Sequence, residues 1–162
     1  RSLPQLALRL LMLTGLRSYP IRHAHLDEID GDIWTIPGEK MKGLKGKTPS
    51  FRVPLTTEAL HVIEIASQQQ RDGYIFPGVK RGVISDASMA RLMERRGLEA
   101  RPHGFRSTLR TWLTESQQAS REVAEIIIAH QTGSVVERSY NRTDMIDQRR
   151  EIMKQWARYL NH

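Results

Sequence analysis

The stretch SLPQLALRLLMLTG, residues 2–15, constrains the fold more than any other part of this chain. Leu3, Leu6, Ala7, Leu10, Leu11 and Leu13 recur at intervals that stack side chains on adjoining faces of an α-helix. Ser2 stands where an N-cap belongs, Pro4 falls in the first turn, and Gly15 is placed to stop the helix. A helix this apolar belongs in a core, and the other elements must pack around it. The stretch is no secretory leader, because its spacing is periodic and Arg9 interrupts it. Elsewhere the apolar runs are short, such as IIIA at 126–129, far below the roughly 20 residues that cross a bilayer.

Around that helix the pattern predicts short elements. DIWTIP (32–37) and SFRVPL (50–55) read as strands flanking a glycine- and lysine-rich connection. TTEALHVIEIASQQ (56–69) reads as a helix with Leu60, Ile63 and Ala66 inward, and YIFP (74–77) as a short extended piece. Ser85 is placed to cap a helix running through DASMARLMERRG. Further helices are expected at about 104–115, 121–130 and 134–140. A last one, from about 144 to 160, buries Met145, Ile152, Met153, Trp156 and Leu160. The expected class is mostly α with one small antiparallel β-sheet (α+β), in one domain of 162 residues.

Charge narrows the partners. The chain carries 25 basic and 18 acidic residues, a net charge of +7. Residues 38–52 hold five basic and one acidic side chain, and residues 91–110 hold six and two. Such clusters suit a polyanion, most simply nucleic acid, although a solvated basic face has the same composition. No strongly basic amphipathic helix with an aromatic apolar face points to a membrane surface. The absence of cysteine excludes disulfides, thiol catalysis and cysteine-held zinc, and fits a reducing cytoplasm.

Individual side chains say less. In RPHGFRSTLRTWL (101–113), His103 and Arg106 are spaced to share one face at a helix start, where an anion is also favoured. A histidine at a helix start beside a surface arginine has the same spacing. Arg17 follows the buried helix and its glycine, so its guanidinium hangs from a rigid element, or is an ordinary cation at a helix C-terminus. The lysines of GEKMKGLKGK sit on a hairpin and can donate a proton or simply be solvated. His23 and His25, two apart with no evident third ligand, read as surface residues rather than a metal site. No carboxylate cluster suits the metal-dependent route of phosphodiester cleavage. In HQTGSVVERSYNR (130–142), Tyr140 lies between Arg138 and Arg142 with little apolar sequence around it. That setting fits an ordinary surface ring or a nucleophile that needs cations nearby to reach a phosphate, while Tyr19, Tyr74 and Tyr159 read as packing residues.

Taken in order, LLMLTGLR, EKMKG…FRVPLT, YIFPG, RPHGFRSTLRTWL and IIIAHQTGSVVERSYNR resemble the catalytic domain of the tyrosine recombinases, specifically the phage- and genomic-island-type integrases. DQRREIMKQWARYL resembles the family's last helix, so the resemblance spans nearly the whole chain. Each motif is weak alone; their order and spacing are specific.

The resemblance implies the DNA breaking-rejoining fold and a role for each matched residue. Tyr140 would be the nucleophile, forming a 3′-phosphotyrosine and freeing a 5′-hydroxyl. Arg17 and Arg106 would hold the non-bridging oxygens. His103 would exchange a proton with the tyrosine, Lys42 would protonate the leaving oxygen, and His130 would hydrogen-bond the phosphate. No cofactor or metal is implied. The implied partners are double-stranded DNA attachment sites, with the full-length protein a homotetramer on DNA in the bacterial cytoplasm, at the nucleoid, and this fragment itself monomeric. Residues 1–162 would then be a C-terminal catalytic domain lacking the family's core-binding and arm-binding domains. The missing start methionine fits that expectation.

Two departures bear on activity. The family usually has an acidic residue three positions after its first arginine, and Pro20 stands there. The MKGLKGKTPS loop is long, which leaves Lys45 and Lys47 as alternatives to Lys42. A type IB topoisomerase shares the chemistry, and an inactive basic DNA-binding module shares the fold. The last helix has a pattern suited to packing either in cis or on a neighbouring protomer.

Overall fold

The computed structural model describes residues 1–43, 46–116, 119–128 and 144–161. Helix α1 (Leu3–Thr14) forms as its spacing predicts. The Ser2 hydroxyl accepts from the Gln5 N–H and the Gln5 side chain accepts from the Ser2 N–H, a reciprocal cap. Gly15 ends the helix at φ 70°, its N–H bonded to the Leu11 carbonyl at 2.8 Å. Leu6, Ala7, Leu10, Leu11 and Leu13 are all buried.

A short helix, α2 (Ser18–Arg22), follows at once. Three antiparallel strands come next: β1 (Ile29–Asp30), β2 (Ile33–Ile36) and β3 (Phe51–Pro54), in the order β1-β2-β3. Sequence reading anticipated β2 and β3 but not β1 or α2, both too short for any periodicity to register. Trp34 pairs with Val53, and both face the core while Thr35 and Arg52 face out.

Helix α3 (Thr57–Ser67) is capped by the Thr56 hydroxyl and buries Ala59, Val62, Ile63 and Ala66, with Leu60 half-buried. Helix α4 (Ser88–Arg95) starts later than expected. Ser85 does not cap it, because residues 85–88 form a separate turn and the Ser85 hydroxyl meets the Ser88 hydroxyl instead. Helices α5 (Gly104–Glu115), α6 (Arg121–Ile127) and α7 (Ile146–Leu160) complete the described fold. It is mostly α with one small antiparallel sheet. The expected helix at 134–140, the end of the one at 121–130, and the positions of His130 and Tyr140 lie outside the described residues.

Two apolar clusters meet along α1. The larger joins α1 to the sheet, α3 and α4; the smaller is built by Leu109 and Leu113 of α5, Val123 and Ile127 of α6, and Ile152, Met153 and Trp156 of α7. The Trp156 indole N–H donates to the Met12 carbonyl at 2.7 Å and couples the clusters. Helix α7 therefore packs in cis. Its first turn is fixed to β3 by Arg149, whose guanidinium donates to the Arg52 carbonyl at 2.6 Å and lies 4.8 Å from the centre of the Phe51 ring. Of the tyrosines read as packing residues, Tyr19 and Tyr159 are 49% and 54% exposed; they stack on His23 and Trp156 at the surface rather than filling the core.

Candidate active site

Arg106 is one of two buried arginines in the described fold, with Arg149. It lies in the first turn of α5, on the face that also buries Leu109 and Leu113. Its guanidinium is driven inward, to 8% exposure, and spans two backbone carbonyls from distant parts of the chain. Nη1 donates to Gly15 at 2.6 Å and Nη2 to Ile128 at 2.5 Å. Both carbonyls stand at helix ends, where the last oxygens have no intrahelical partner. Burial, and secondarily the nearby charge of Arg17, lower the Arg106 pKa to about 10, so it remains a cation at neutral pH.

Gly15 positions both arginines. A left-handed residue is needed there to end α1, and a Cβ would stand 2.3 Å from Leu109 Cδ2. Its carbonyl holds Arg106, and two residues later Arg17 opens α2 as its N-cap. Arg17 and Arg106 border one surface cavity of about 260 Å³, together with Lys42, Lys40, Tyr19 and Pro20. Of the residues nominated from sequence, Arg17, Arg106 and Lys42 line this cavity, His103 does not, and His130 lies outside the described residues. Among the described residues, neither guanidinium has a carboxylate partner. Pro20 is tolerated in the first turn of α2, where an N–H has no intrahelical acceptor. It gives the cavity an apolar wall where the family resemblance leads one to expect an acid.

The lysines separate clearly. Lys42 is exposed at the cavity rim. Lys47 is exposed further along the connection and does not line the cavity, and Lys45 lies outside the described residues. Lys40, which sequence reasoning passed over, points back into the fold and binds Glu28 at 2.6 Å. Nothing in the sequence distinguishes Lys40 from Lys42; Lys40 ends a single 3-10 turn (Gly38–Lys40) and Lys42 lies just beyond it.

His103 occupies the N-cap position of α5, exposed and making no capping bond with its side chain. It heads the turn that carries Arg106 but does not line the cavity. His23 and His25 are engaged locally, with the Tyr19 and Asp72 carbonyls respectively. Among the described residues, no group of three His, Cys, Asp or Glu is arranged to hold a metal ion. No helix among them is long and apolar enough to cross a membrane.

The arrangement suits a singly or doubly charged oxyanion. A buried cation normally has an anionic partner. Here one held by neutral carbonyls faces an open cavity beside a second cation, with the exposed Lys42 at the rim. Two guanidinium groups present planar donors to non-bridging oxygens, and a lysine can donate a proton to a leaving group.

Comparison with known proteins agrees with this geometry. The model of the phage integrase family matches residues 3–146. The integrase of Enterobacteria phage P4 is 31% identical, aligned over 99% of this chain and 41% of its own length. The prophage integrase IntZ of Escherichia coli K12 is 33% identical over 94% of this chain and 38% of its own. The chain thus spans about two-fifths of the length of these relatives. Among solved structures, the integrase of mycobacterium phage Brujita superposes with a TM-score of 0.72 at 22% identity, covering 96% of this chain and 52% of that one. The Tn1549 transposon integrase, solved with circular intermediate DNA, superposes with a TM-score of 0.61 at 15% identity, covering 93% and 58%. This fold, with its paired arginines on one cavity, is therefore that of a tyrosine recombinase catalytic domain, and the chain belongs to the phage integrase family.

Proposed function

We propose that this chain is the catalytic part of a site-specific DNA recombinase that integrates or excises a mobile element. The observation that carries the reading is Arg106, a buried cation held by two carbonyls, facing a cavity shared with Arg17 and Lys42. In the proposed reaction the Tyr140 hydroxyl attacks the scissile phosphorus and loses its proton, with His103 accepting it. Arg17, Arg106 and His130 bind the non-bridging oxygens and stabilise the charge that grows on them. The bond to the 5′-oxygen breaks, Lys42 supplies its proton, and a 3′-phosphotyrosine remains. A 5′-hydroxyl from another strand then attacks the phosphotyrosine, and the tyrosine regains its proton. Bond count is conserved at each step, so no nucleotide cofactor is needed. Attachment-site DNA, a tetramer of the full-length protein, and action at the nucleoid in the cytoplasm belong to the same proposal. The XerH recombinase, solved bound to its difH substrate, and the DNA-bound Tn1549 integrase share the fold and support DNA as the partner.

The test uses a pool of randomised duplexes, nicked so that the strand beyond the cut diffuses away and a covalent complex is trapped. The wild-type chain is expected to give a denaturant-resistant protein–DNA adduct. Tyr140→Phe is expected to abolish it while leaving salt-sensitive binding in place. An adduct that persists in Tyr140→Phe refutes the assignment. Binding without any adduct from the wild type points instead to an inactive DNA-binding module.

A further inference from the structure

Lys40 and Lys42 are two positions apart and both border the cavity, yet their surroundings differ. Lys40 Nζ donates to Glu28 Oε2 at 2.6 Å and to the His23 carbonyl at 2.8 Å. The two side chains are only 16% and 8% exposed. Glu28 is itself fixed: its Oε1 accepts from the His25 N–H at 3.0 Å and from the Trp34 indole N–H at 3.2 Å. Trp34 is fully buried in β2. A continuous chain of hydrogen bonds thus runs from a core tryptophan to the Lys40 ammonium.

A pair as buried as this is weak evidence of a stabilising role, since desolvation offsets much of the attraction and an apolar pair would serve as well. Its evident effect is positional. Glu28 neutralises Lys40, so that lysine does not compete for an anion in the cavity. The pair also pins residue 40 to the β1–β2 side. A second contact closes the neck of the connection: a Cβ on Gly38 would stand 1.8 Å from the Thr48 carbonyl oxygen. Two residues beyond the pin, Lys42 can stray no more than about 7 Å along the chain. The near limb of this lysine loop is anchored.

We infer that the Glu28–Lys40 pair is a brace that presents Lys42 to the leaving 5′-oxygen. It does so in a cavity that Pro20 also lines, where no carboxylate stands at that position to orient the site. Glu28 and Lys40 are positioning residues; the inference rests on the reading of Lys42 as proton donor.

A change of leaving group separates this role from a general structural one. In a duplex whose bridging 5′-oxygen is replaced by sulfur, the departing thiolate is a far weaker base than an alkoxide and needs no proton. Single-turnover cleavage is measured on matched oxygen- and sulfur-bridged duplexes, using a sequence recovered by covalent capture. The wild type is compared with Glu28→Gln, Lys40→Met, Lys40→Arg and Lys42→Ala, each checked by its thermal unfolding midpoint. On the oxygen-bridged duplex, Glu28→Gln and Lys40→Met are expected to slow about 100-fold, the effect of misplacing a reacting group by about an ångström. On the sulfur-bridged duplex both recover to near the wild-type rate, as does Lys42→Ala, and Lys40→Arg retains most activity on either. Glu28→Gln keeps the shape and the neutral hydrogen bonds, so it reports on the brace even if Lys40→Met unfolds. Wild-type rates for Glu28→Gln on the oxygen-bridged duplex, or equal slowing on both duplexes, overturn the inference. Failure of sulfur to rescue Lys42→Ala overturns the role of Lys42 itself, and the brace with it.

Discussion

Replacing Gly15 by alanine tests whether one residue both ends α1 and positions the arginines. Two independent costs arise. Gly15 has φ 70°, where an L-residue is disfavoured by about 1–2 kcal/mol. The new methyl would stand 2.3 Å from Leu109 Cδ2, inside a packed cluster, and overpacking of this kind costs about 1–3 kcal/mol. The sum is about 2–5 kcal/mol, a large share of the about 5–15 kcal/mol that holds a typical domain together. Gly82 supplies the control: its φ is 63° and nothing lies within 4 Å of an added Cβ, so Gly82→Ala bears only the backbone cost. Any gain from a stiffer unfolded chain is common to both and cancels in the comparison. Urea unfolding at neutral pH should therefore place Gly15→Ala about 1–3 kcal/mol below Gly82→Ala. The clash has a second signature. Leu109→Ala alone destabilises by leaving a cavity, but combined with Gly15→Ala it removes the obstructing methyl, so the double variant should be less unstable than the sum. Because the Gly15 carbonyl holds Arg106 at 2.6 Å, Gly15→Ala should also weaken anion binding. Equal costs at Gly15 and Gly82, or strict additivity with Leu109→Ala, would refute the reasoning.

Two further expectations follow from the charges. Sodium sulfate, compared with chloride at matched ionic strength, should stabilise the wild type by about 1.4 kcal/mol at ten times its dissociation constant, and Arg17→Ala should lose that gain; equal stabilisation of both proteins, read from thermal unfolding, rules out a shared oxyanion site. Arg52 donates to both Asp144 oxygens at 2.7 Å and, against partial burial, holds that carboxyl below its ordinary 3.8. A carboxyl lowered on folding stabilises the protein above its unfolded pKa, and that contribution is lost as the pH falls through the lower folded value. Asp144→Asn should thus cost about 1 kcal/mol at neutral pH, with the gap closing in strong acid; a gap independent of pH would refute it.

The anchored arginine explains how the site persists without a partner ion. An ordinary buried cation would be matched by a carboxylate, which would occupy the place of the phosphate. Carbonyl oxygens satisfy the guanidinium's hydrogen bonds without cancelling its charge. The cavity therefore keeps its positive potential until an anion arrives, at the cost of a lowered pKa for Arg106.

What the sequence determined by itself was whatever depends on neighbours along the chain. The leucine spacing of residues 3–13 set α1, the short β-rich runs set β2 and β3, and Ser2 and Gly15 marked ends that the structure bears out, whereas Ser85 did not. The order of motifs was enough to nominate Arg17, Lys42 and Arg106, which the structure brings to one cavity. Tertiary structure alone decided how those residues are held. Arg106 is fixed by carbonyls 91 residues before it and 22 after it, and no local pattern encodes either bond. Lys40 and Lys42 look alike in sequence, yet Glu28, 12 positions before Lys40, takes one and leaves the other at the rim. Periodicity reports which face of an element is apolar; it is silent on which polar groups meet when those faces pack. That second arrangement is the site.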